Sequence, residues 1–434
     1  MSDKLDILLT WRFAGGMEQP GLIPISASYV EKPVALIGIL IHELVHQWTG
    51  GLIVNDWWSD FWINEGLTYY YADEVVREAV RQEVLPSSFL PTYYLYSHYD
   101  NYAITQKVHT VRANEHFYGF NMALFYKARN VAFMLDTAME GNLSVCLGLA
   151  MENYTFRSLS GLTLNKELSN CPHSNLNVVN FMQYWLYEEM LPILKLELQN
   201  ETAIFTYSLL CDLDAIKNAS CETHKKYTPQ FAIKFQDQDY NLLQKVQIIS
   251  DFPSEIKLNF SVEDNQLFFV NAFEGRNVLV QYPEFVYEEF FNWIESEKFT
   301  YDRPDNHFLL MFIMDMLQLS ARELIKSDWT IKIRNKPSEL KKMGAKRYVE
   351  DIIDDISTHC FDQSFFLTLT GNYRGWDNIS SLAPVSTSNS TRENCFVDTE
   401  ENMNIQLNNE RLRTLIMFAL NGHEFWANLY GIIC

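Results

Sequence analysis

The sequence predicts an α+β protein of several domains: a mostly helical first domain, a small β-sandwich and a C-terminal α-helical domain. A chain of 434 residues corresponds to roughly two to four domains of about 150 residues each. Its composition, 47% hydrophobic and 21% charged, is sufficient for several buried cores. The hydrophobic pattern changes from helical to alternating near Pro192 and back to helical near residue 285. We therefore expect domains at 1–191, 192–284 and 285–434.

The first domain is expected to combine a short strand with buried helices. Lys4 to Leu9 has the pattern of a strand. Pro33 suits the first turn of a helix, where its missing N–H costs nothing, and the apolar run that follows ends before the breaker pair Gly50-Gly51. Two further helices are predicted, at 64–80 and 120–137.

The other two domains follow from the same kind of pattern. Strands are predicted where apolar and polar residues alternate, at 193–210, 256–262 and 277–282. Helices are predicted at 288–297, 307–324, 339–356 and 410–420, with Gly422 as the stop of the last one. The Ser/Thr/Asn-rich stretch 379–392 is expected to be a loop, with a disulfide between Cys360 and Cys395 as one way to close its base.

Charge and targeting signals narrow the class of partner and the compartment. The formal net charge of -21 argues against a nucleic-acid partner, because phosphate binding needs a cationic face. The chain opens Met-Ser-Asp-Lys, without a signal peptide, and has no run of about 20 apolar residues that could span a membrane. Asn-x-Ser/Thr sequons nevertheless favour a secretory-pathway protein with surface glycans and some disulfides, the alternative being a cytosolic protein rich in asparagine. The sequons are at Asn142, Asn153, Asn200, Asn218, Asn259, Asn378 and Asn389.

A metal site is predicted from the segment His42-Glu43-Leu44-Val45-His46. On a helix, residues i and i+4 lie on one face, so both imidazoles can reach one ion at about 2 Å. Glu43 lies on the neighbouring face and can take a proton from an attacking water without being a ligand. Downstream, the motif Trp62-Ile63-Asn64-Glu65-Gly66 offers Glu65 as a third, carboxylate ligand. Two histidines and one glutamate leave one position open, as a catalytic zinc requires, so we expect one Zn2+ per chain.

These motifs resemble those of the aminopeptidase N-type branch of the gluzincin zinc metallopeptidases, the membrane alanyl aminopeptidase family. The family pattern is HExxH, eighteen intervening residues and then Glu in a W-x-N-E-G setting, and eighteen residues separate His46 from Glu65 here. The family's Gly-x-Met-Glu-Asn motif is matched by Gly15-Gly16-Met17-Glu18-Gln19. The resemblance implies that this segment binds substrate, with Glu18 holding the free α-amine through a charge-assisted hydrogen bond.

The resemblance extends, more weakly, over most of the chain. Residues 271–282 are similar to the family's last β-sandwich strands, and 303–321 to the first helix of its C-terminal domain. It implies a thermolysin-like catalytic domain over residues 1–191 and peptide substrates. Together with the sequons it implies a plasma-membrane or extracellular location. The oligomeric state is left open, with a homodimer as one option.

Four departures from the family pattern bear on catalysis. The family has a β-rich domain ahead of the point where this chain starts, and a longer C-terminal helical domain, so we expect an N-terminally truncated member. Gln19 replaces an Asn, and Gly51 replaces an Asn that follows the zinc helix. The family's catalytic Tyr, whose hydroxyl stabilises the oxyanion, aligns with Phe125; Tyr126 can substitute only if the helix shifts register. Losing one such donor typically costs about 10²–10³ in rate.

Three functions are open on this basis. The intact metal and base residues favour an active zinc aminopeptidase. Phe125, Gln19 and the missing N-terminal domain favour a catalytically impaired family member that binds zinc and peptide without efficient turnover. A leukotriene-hydrolase-like enzyme is suggested by Gly-Gly-Met-Glu at 15–18, whereas the strand pattern Gly-x-x-Val-x-Val-x-Tyr at 275–282 favours the ectoenzyme branch.

Overall fold

A computed structural model of the chain describes two compact units, one up to Glu188 and one from Leu191 on. The described residues are 5–11, 15–30, 33–82, 84–85, 125, 127–188, 191–210, 227–239, 241–261, 267–271, 278–296, 312, 315–316, 319 and 324–326. Several predictions lie outside them: the helices at 339–356 and 410–420, most of the helix at 307–324, the loop 379–392, the Cys360–Cys395 pair and Tyr126.

The first unit begins with two parallel strands, β1 (Asp6–Thr10) and β2 (Leu22–Ser26). Between them the chain turns back through Gly15, whose φ of 86° lies in the left-handed region that favours glycine. Gly16 then forms an antiparallel bridge with Ile25 of β2. The segment 15–19 is therefore attached to β2 and does not form a separate loop.

Two long helices follow, α1 (Pro33–Val45) and α2 (Trp62–Arg81). The apolar side chains of α1 that are described as buried each expose 4% or less of their surface: Ile37, Leu40, Ile41, Leu44 and Val45. A helix that is apolar on nearly all sides belongs in the core. The polar residues of its last turn are consequently held inside the unit.

The connection from α1 to α2 contains β3 (Ile53–Asn55) and a 3-10 turn (Trp58–Asp60). β3 pairs in parallel with β4 (Arg157–Leu159). The chain can reverse direction after α1 because Gly50 has a φ of 119°. This reversal brings the start of α2 next to the end of α1.

Four more helices complete the described part of the first unit: α3 (Ala128–Ala138), α4 (Leu143–Tyr154), α5 (Gly161–Ser169) and α6 (Val178–Tyr187). The backbones of α2 and α3 approach closely at Gly66, where an added Cβ would lie 2.4 Å from the Cβ of Ala128. A disulfide between Cys146 and Cys171 joins α4 to the chain after α5.

The second unit contains most of the strands. β5 (Leu191–Gln199) and β6 (Thr202–Leu210) form an antiparallel hairpin, which β10 (Ser254–Lys257) and β12 (Leu279–Gln281) extend to the order β10-β6-β5-β12. Two shorter antiparallel pairs join β7 (Phe231–Ile233) to β9 (Gln247–Ile249) and β8 (Phe235–Asp237) to β11 (Phe268–Val270). One helix, α7 (Glu284–Glu295), follows.

The prediction of a mixed α+β protein is confirmed, because the described residues form both helices and sheets. Several predicted element boundaries differ from those in the structure, and two of them differ by four residues or more. The strand predicted at 256–262 ends at Lys257, and the helix predicted to begin at residue 288 begins at Glu284. Pro283 has the fixed φ that suits a helix start, and Glu284 places a favourable negative charge in the first turn. The division into three domains stays a prediction. Among the described helices, none is long and apolar enough to cross a bilayer.

Candidate metal centre

The side chains of His42, His46 and Glu65 converge at one point in the first unit. Nε2 of His46 lies 2.9 Å from Nε2 of His42. Oε2 of Glu65 lies 3.3 Å from Nε2 of His42 and 3.5 Å from Nε2 of His46. Ligands at about 2.0–2.1 Å from a tetrahedral ion are about 3.3 Å apart, so these three distances match one face of such a tetrahedron. The three donors therefore fit a metal ion.

The two helices account for this convergence. His42 and His46 are one turn apart at the end of α1, where the His46 N–H still donates to the His42 carbonyl at 3.1 Å. Glu65 lies in the first turn of α2. All three side chains are buried, with 8%, 1% and 7% of the residue surface exposed. Each ligand thus lies in a helix or in the turn directly after it, inside the core.

Hydrogen bonds fix the ring of His46. Its Nδ1 lies 2.8 Å from the carbonyl oxygen of Thr49 and 3.1 Å from the hydroxyl of Thr68. The Thr68 hydroxyl also donates to the carbonyl of Asn64 at 2.5 Å. An Nδ1–H that donates to a carbonyl leaves Nε2 as the free lone pair, directed at the other donors. In this orientation Nε2 of His46 faces the other two donors, as a metal ligand must.

The ring of His42 is held differently. Its Nδ1 is buried and makes no hydrogen bond within the described part of the chain. The ring contacts Tyr69 at a centroid distance of 4.2 Å and the edge of His46 at 4.5 Å. Besides the contacts of its Nε2 with His46 and Glu65, aromatic packing therefore restrains this ligand.

Two more carboxylates lie beside the three donors. Glu43, 4% exposed, packs against the backbone of Gly16, where an added Cβ would lie 2.3 Å from Oε1 of Glu43. Donor atoms of Glu18, Glu43 and His46 lie within 4.8 Å of one another. The segment 15–19, attached to β2, therefore brings Glu18 to the end of α1.

Asn64 connects this segment to the metal donors. Its Nδ2 donates to Oε1 of Glu18 at 3.2 Å and lies 3.5 Å from Oε1 of Glu65. A Cβ at Gly50 would lie 2.1 Å from Oδ1 of Asn64, so a glycine at this position makes room for the amide. In the motif Trp62 to Gly66, Asn64 thus orients Glu18, and Gly66 lets α3 approach α2.

Burial and charge shift the pKa values of the donors in opposite directions. Burial raises the pKa of Glu65, but hydrogen bonds from His42 and His46 outweigh it and lower that pKa to about 2. Burial lowers the pKa of His46, whereas the Glu65 carboxylate raises it to about 9. Burial and the charge of His46 lower the pKa of His42. The cluster thus favours a buried positive charge, a place that a metal cation can also take.

The pKa of Glu43 is raised well above the ordinary carboxyl range. Burial raises its pKa to about 8, and the negative charges of Glu18 and Glu65 add to this effect against the charge of His46. A carboxyl group that ionises in this range can both accept and return a proton. The environment of Glu43 therefore suits acid–base chemistry.

The predicted oxyanion position lies near the metal donors. The ring of Phe125 packs edge-on against Tyr69 at 5.9 Å, and Tyr69 contacts His42. A phenyl ring has no hydroxyl, so the side chain at position 125 cannot donate a hydrogen bond to an oxyanion.

The rest of the predicted substrate segment forms a turn. Met17 is 40% exposed, and its N–H donates to the carbonyl of Pro24 at 3.1 Å. The carbonyl of Gln19 accepts from Leu22 N–H at 3.1 Å, and that of Gly15 accepts from Ser26 N–H at 2.9 Å. These backbone bonds orient the segment, and the side-chain roles predicted for it stay predictions.

Sequence reasoning missed three residues around the donors: Thr49, Thr68 and Tyr69. Helix periodicity contains the signal for two of them, because Thr68 and Tyr69 follow Glu65 at i+3 and i+4 and so share its face. Thr49 acts through its backbone carbonyl, which residue type does not indicate.

Comparisons with known proteins point to one family. Residues 2–185 match the model of the peptidase family M1 domain. The chain is 34% identical over 71 residues to Leucine aminopeptidase 2-2 of Scheffersomyces stipitis, which is 16% of this chain and 11% of the relative. It is 41% identical over 56 residues to Leukotriene A-4 hydrolase of Xenopus laevis, 13% of this chain and 9% of the relative. It is 24% identical over 178 residues to human Aminopeptidase Q, 38% of this chain and 18% of the relative. Each match thus spans less than a fifth of the relative's length.

Proposed function

We propose that this chain, whose residues 2–185 match the model of the peptidase family M1 domain, is a zinc-dependent aminopeptidase that removes N-terminal residues from peptides. One observation carries the proposal: three buried donors fit a tetrahedral face, and two further carboxylates, Glu18 and Glu43, lie directly beside them. Relatives named leucine aminopeptidase and aminopeptidase Q support the same reaction class.

The charges of the site favour an exopeptidase that acts on a free amine. Glu18, Glu43 and Glu65 are three carboxylates, and within the described part of the chain no lysine or arginine pairs with them. A metal cation would compensate the Glu65 ligand, and a substrate α-ammonium would compensate Glu18. A peptide with a blocked N-terminus would leave the half-buried Glu18 carboxylate without this partner.

Zinc, bound by His42, His46 and Glu65, would polarise the scissile carbonyl and make an attacking water more acidic. Glu43 would take the proton of that water and return it to the leaving amine. Its burial beside Gly16 shields the carboxylate from bulk solvent.

Glu18 would hold the α-amine and so determine where the peptide is cut. Its Oε1 accepts from the Asn64 amide at 3.2 Å, which leaves Oε2 to accept from an ammonium. Because Asn64 precedes the ligand Glu65, the distance between amine site and metal site is set within one turn of α2.

The test is hydrolysis of aminoacyl-anilides by the purified protein. We expect activity that a chelator removes and zinc restores, and that is absent in Glu43→Ala although this variant still binds zinc. An N-acetylated anilide should not be cleaved. Glu152→Ala, an exposed position on α4, is the matched control and should keep full activity. Activity that persists both with chelator and in Glu43→Ala would overturn the proposal.

A second candidate function rests on Phe125. In this candidate the protein is a family member that binds zinc and peptide without efficient turnover. The reason is that Phe125, at the position predicted for the oxyanion donor, has no hydroxyl. Zinc-dependent retention of a peptide, with no hydrolysis of any anilide, would favour this candidate over an active enzyme.

The finer architecture is also a proposal. We infer a thermolysin-like catalytic domain over 1–191, a β-sandwich over 192–284 and a helical domain over 285–434. The helices α1 to α6 fall in the first of these ranges, and the strands β5 to β12 fall in the second except for the first residue of β5, which supports the first two assignments. Peptides are the proposed partners, and a homodimer is one oligomeric state to test.

A secretory or cell-surface location is supported by the sequons and the disulfide. Asn153, Asn200 and Asn259 are exposed, as a glycan acceptor must be. The Cys146–Cys171 disulfide is stable in an oxidising compartment. Expressed through a secretory pathway, the protein should lose mass on treatment with an N-glycosidase; an unchanged mass would contradict the proposed location.

A further inference from the structure

The two histidine donors differ in what orients them. The Nδ1 of His46 has a backbone carbonyl and a threonine hydroxyl within 3.1 Å. The Nδ1 of His42 is buried and has no hydrogen-bond partner within the residues that the structure describes. Histidines that bind metals almost always donate their second ring N–H to a carboxylate, a carbonyl or water. His42 therefore needs another restraint.

A row of aromatic rings supplies one. The Tyr69 ring lies 4.2 Å from the His42 ring, tilted by 52°. Phe125 packs edge-on against Tyr69 at 5.9 Å, and His46 meets His42 edge-on at 4.5 Å. The row Phe125–Tyr69–His42–His46 thus confines the imidazole of His42 by contact.

Tyr69 and the ligand Glu65 lie on the same face of α2, four residues apart. One helix turn therefore carries both a metal donor and the ring that contacts a second donor. Any displacement of this turn would move Glu65 and the support of His42 together.

We propose that Tyr69 is a positioning residue for the metal ligand His42. Its ring, braced by Phe125, holds the imidazole so that Nε2 points at Nε2 of His46 and Oε2 of Glu65. The torsion that turns an imidazole is broad and roughly two-fold, so an unrestrained ring would spend much of its time turned away from the ion. Packing by Tyr69 removes this freedom before the metal binds.

Phe125 then has a role that needs no hydroxyl. In this position a phenyl ring braces Tyr69 through an edge-to-face contact, a geometry that aromatic pairs prefer. The proposal rests on the metal-binding part of the proposed function and not on turnover.

Zinc affinity is the test, measured by competition with a fluorescent chelator. Tyr69→Ala should bind zinc about 10- to 100-fold more weakly, the usual effect of losing an outer support. Tyr69→Phe keeps the ring and should stay within about twofold of the unchanged protein. Tyr154→Ala, which removes a half-buried tyrosine of α4 in the same unit, is the matched control and should bind zinc normally.

Two results would overturn the proposal: unchanged affinity in Tyr69→Ala, or an equal loss in Tyr69→Phe, which would assign the effect to the hydroxyl. The visible spectrum of cobalt-loaded protein reports the geometry around the metal, which a loss of stability alone would not change. The visible spectrum of Tyr69→Ala should change in shape, whereas that of Tyr154→Ala should not. If Tyr69→Ala does not fold, Tyr69→Leu keeps most of the volume without the flat ring and should show the same loss.

Failure of the proposed function is distinguishable from failure of this inference. If the protein without substitutions binds zinc but cleaves no anilide, the proposed aminopeptidase function is wrong and the proposed role of Tyr69 is unaffected. If the enzyme is active but its Tyr69→Ala variant binds zinc normally, the proposed role of Tyr69 is wrong and the proposed function is unaffected. An unchanged protein that binds no zinc overturns both.

Discussion

Asn64 shows how single side chains join the parts of the site. Its amide donates to Glu18 and lies next to Glu65, and it fits only because Gly50 has no side chain. Thr68 orients His46 in a similar way, because its hydroxyl contacts the imidazole and donates to the Asn64 carbonyl. At the scale of residues, the donors are therefore oriented by their neighbours as much as by their own helix.

Phe125→Tyr tests the account of the oxyanion position. A hydroxyl restored there should raise turnover by up to about 10², because a lost oxyanion donor costs about 10²–10³. Zinc affinity should not change, since the ring that braces Tyr69 remains. Steady-state kinetics on an aminoacyl-anilide measure the effect, and Phe156→Tyr, at an exposed site on the same unit, is the control. No gain, together with lost activity in Tyr126→Phe, would instead assign the donor to Tyr126.

At the scale of elements, α2 serves two partners. Glu65, Thr68 and Tyr69 face the metal donors of α1. Gly66 and Asp73 face α3, where Asp73 forms an ion pair with Arg129 at 3.4 Å. The position of the third ligand therefore depends on how α2 packs against α3.

Gly66→Ala should destabilise this packing. The new Cβ would lie 2.4 Å from that of Ala128, so the helices must move apart, at a cost of about 1–3 kcal/mol. Chemical denaturation measures the free energy of unfolding. The double variant Gly66→Ala, Ala128→Gly removes the clash and should recover part of the loss. A single variant as stable as the unchanged protein would show that α2 and α3 are not packed as described.

Asp73→Asn tests the charge state of the buried pair. Burial, which outweighs the attraction of Arg129, raises the pKa of Asp73 to about 7 from an ordinary value of 3.8. The folded state then binds more protons than the unfolded state between about pH 4 and pH 7. Asp73 therefore contributes stability that is present at low pH and is lost as pH rises through this window.

The measurement is the difference in unfolding free energy between Asp73→Asn and the unchanged protein, at pH 4.5 and at pH 8 in the presence of chelator. The amide does not titrate, so the cost of the substitution should shrink as pH rises. A cost that grows with pH would mean that pairing with Arg129 dominates and that the pKa of Asp73 is lowered.

For the molecule as a whole, sequence periodicity predicted which residues share one face of a helix. His42, His46 and the helix that carries Glu65 follow from spacing, because i and i+4 share a face. The same rule would also have identified Thr68 and Tyr69. It could not identify Glu18, whose position beside the metal donors depends on the backbone turn at Gly15 and the bridge from Gly16 to Ile25.

Contacts between distant segments lie outside what spacing can predict. Asp73 and Arg129 are 56 residues apart in sequence, and nothing local marks them as partners. The Cys146–Cys171 disulfide is one of many pairings that seven cysteines allow. These contacts are fixed by the packing of whole helices, which is a property of the fold.

The zinc content of the purified protein after exhaustive dialysis decides whether His42, His46 and Glu65 hold a metal ion. The account predicts one zinc per chain in the unchanged protein and in Glu43→Ala, since Glu43 is not a ligand. It predicts no retained zinc in Glu65→Gln or in His46→Asn. An unchanged protein without zinc, or a Glu65→Gln variant that keeps a full equivalent, would contradict the assignment of His42, His46 and Glu65 as the ligands.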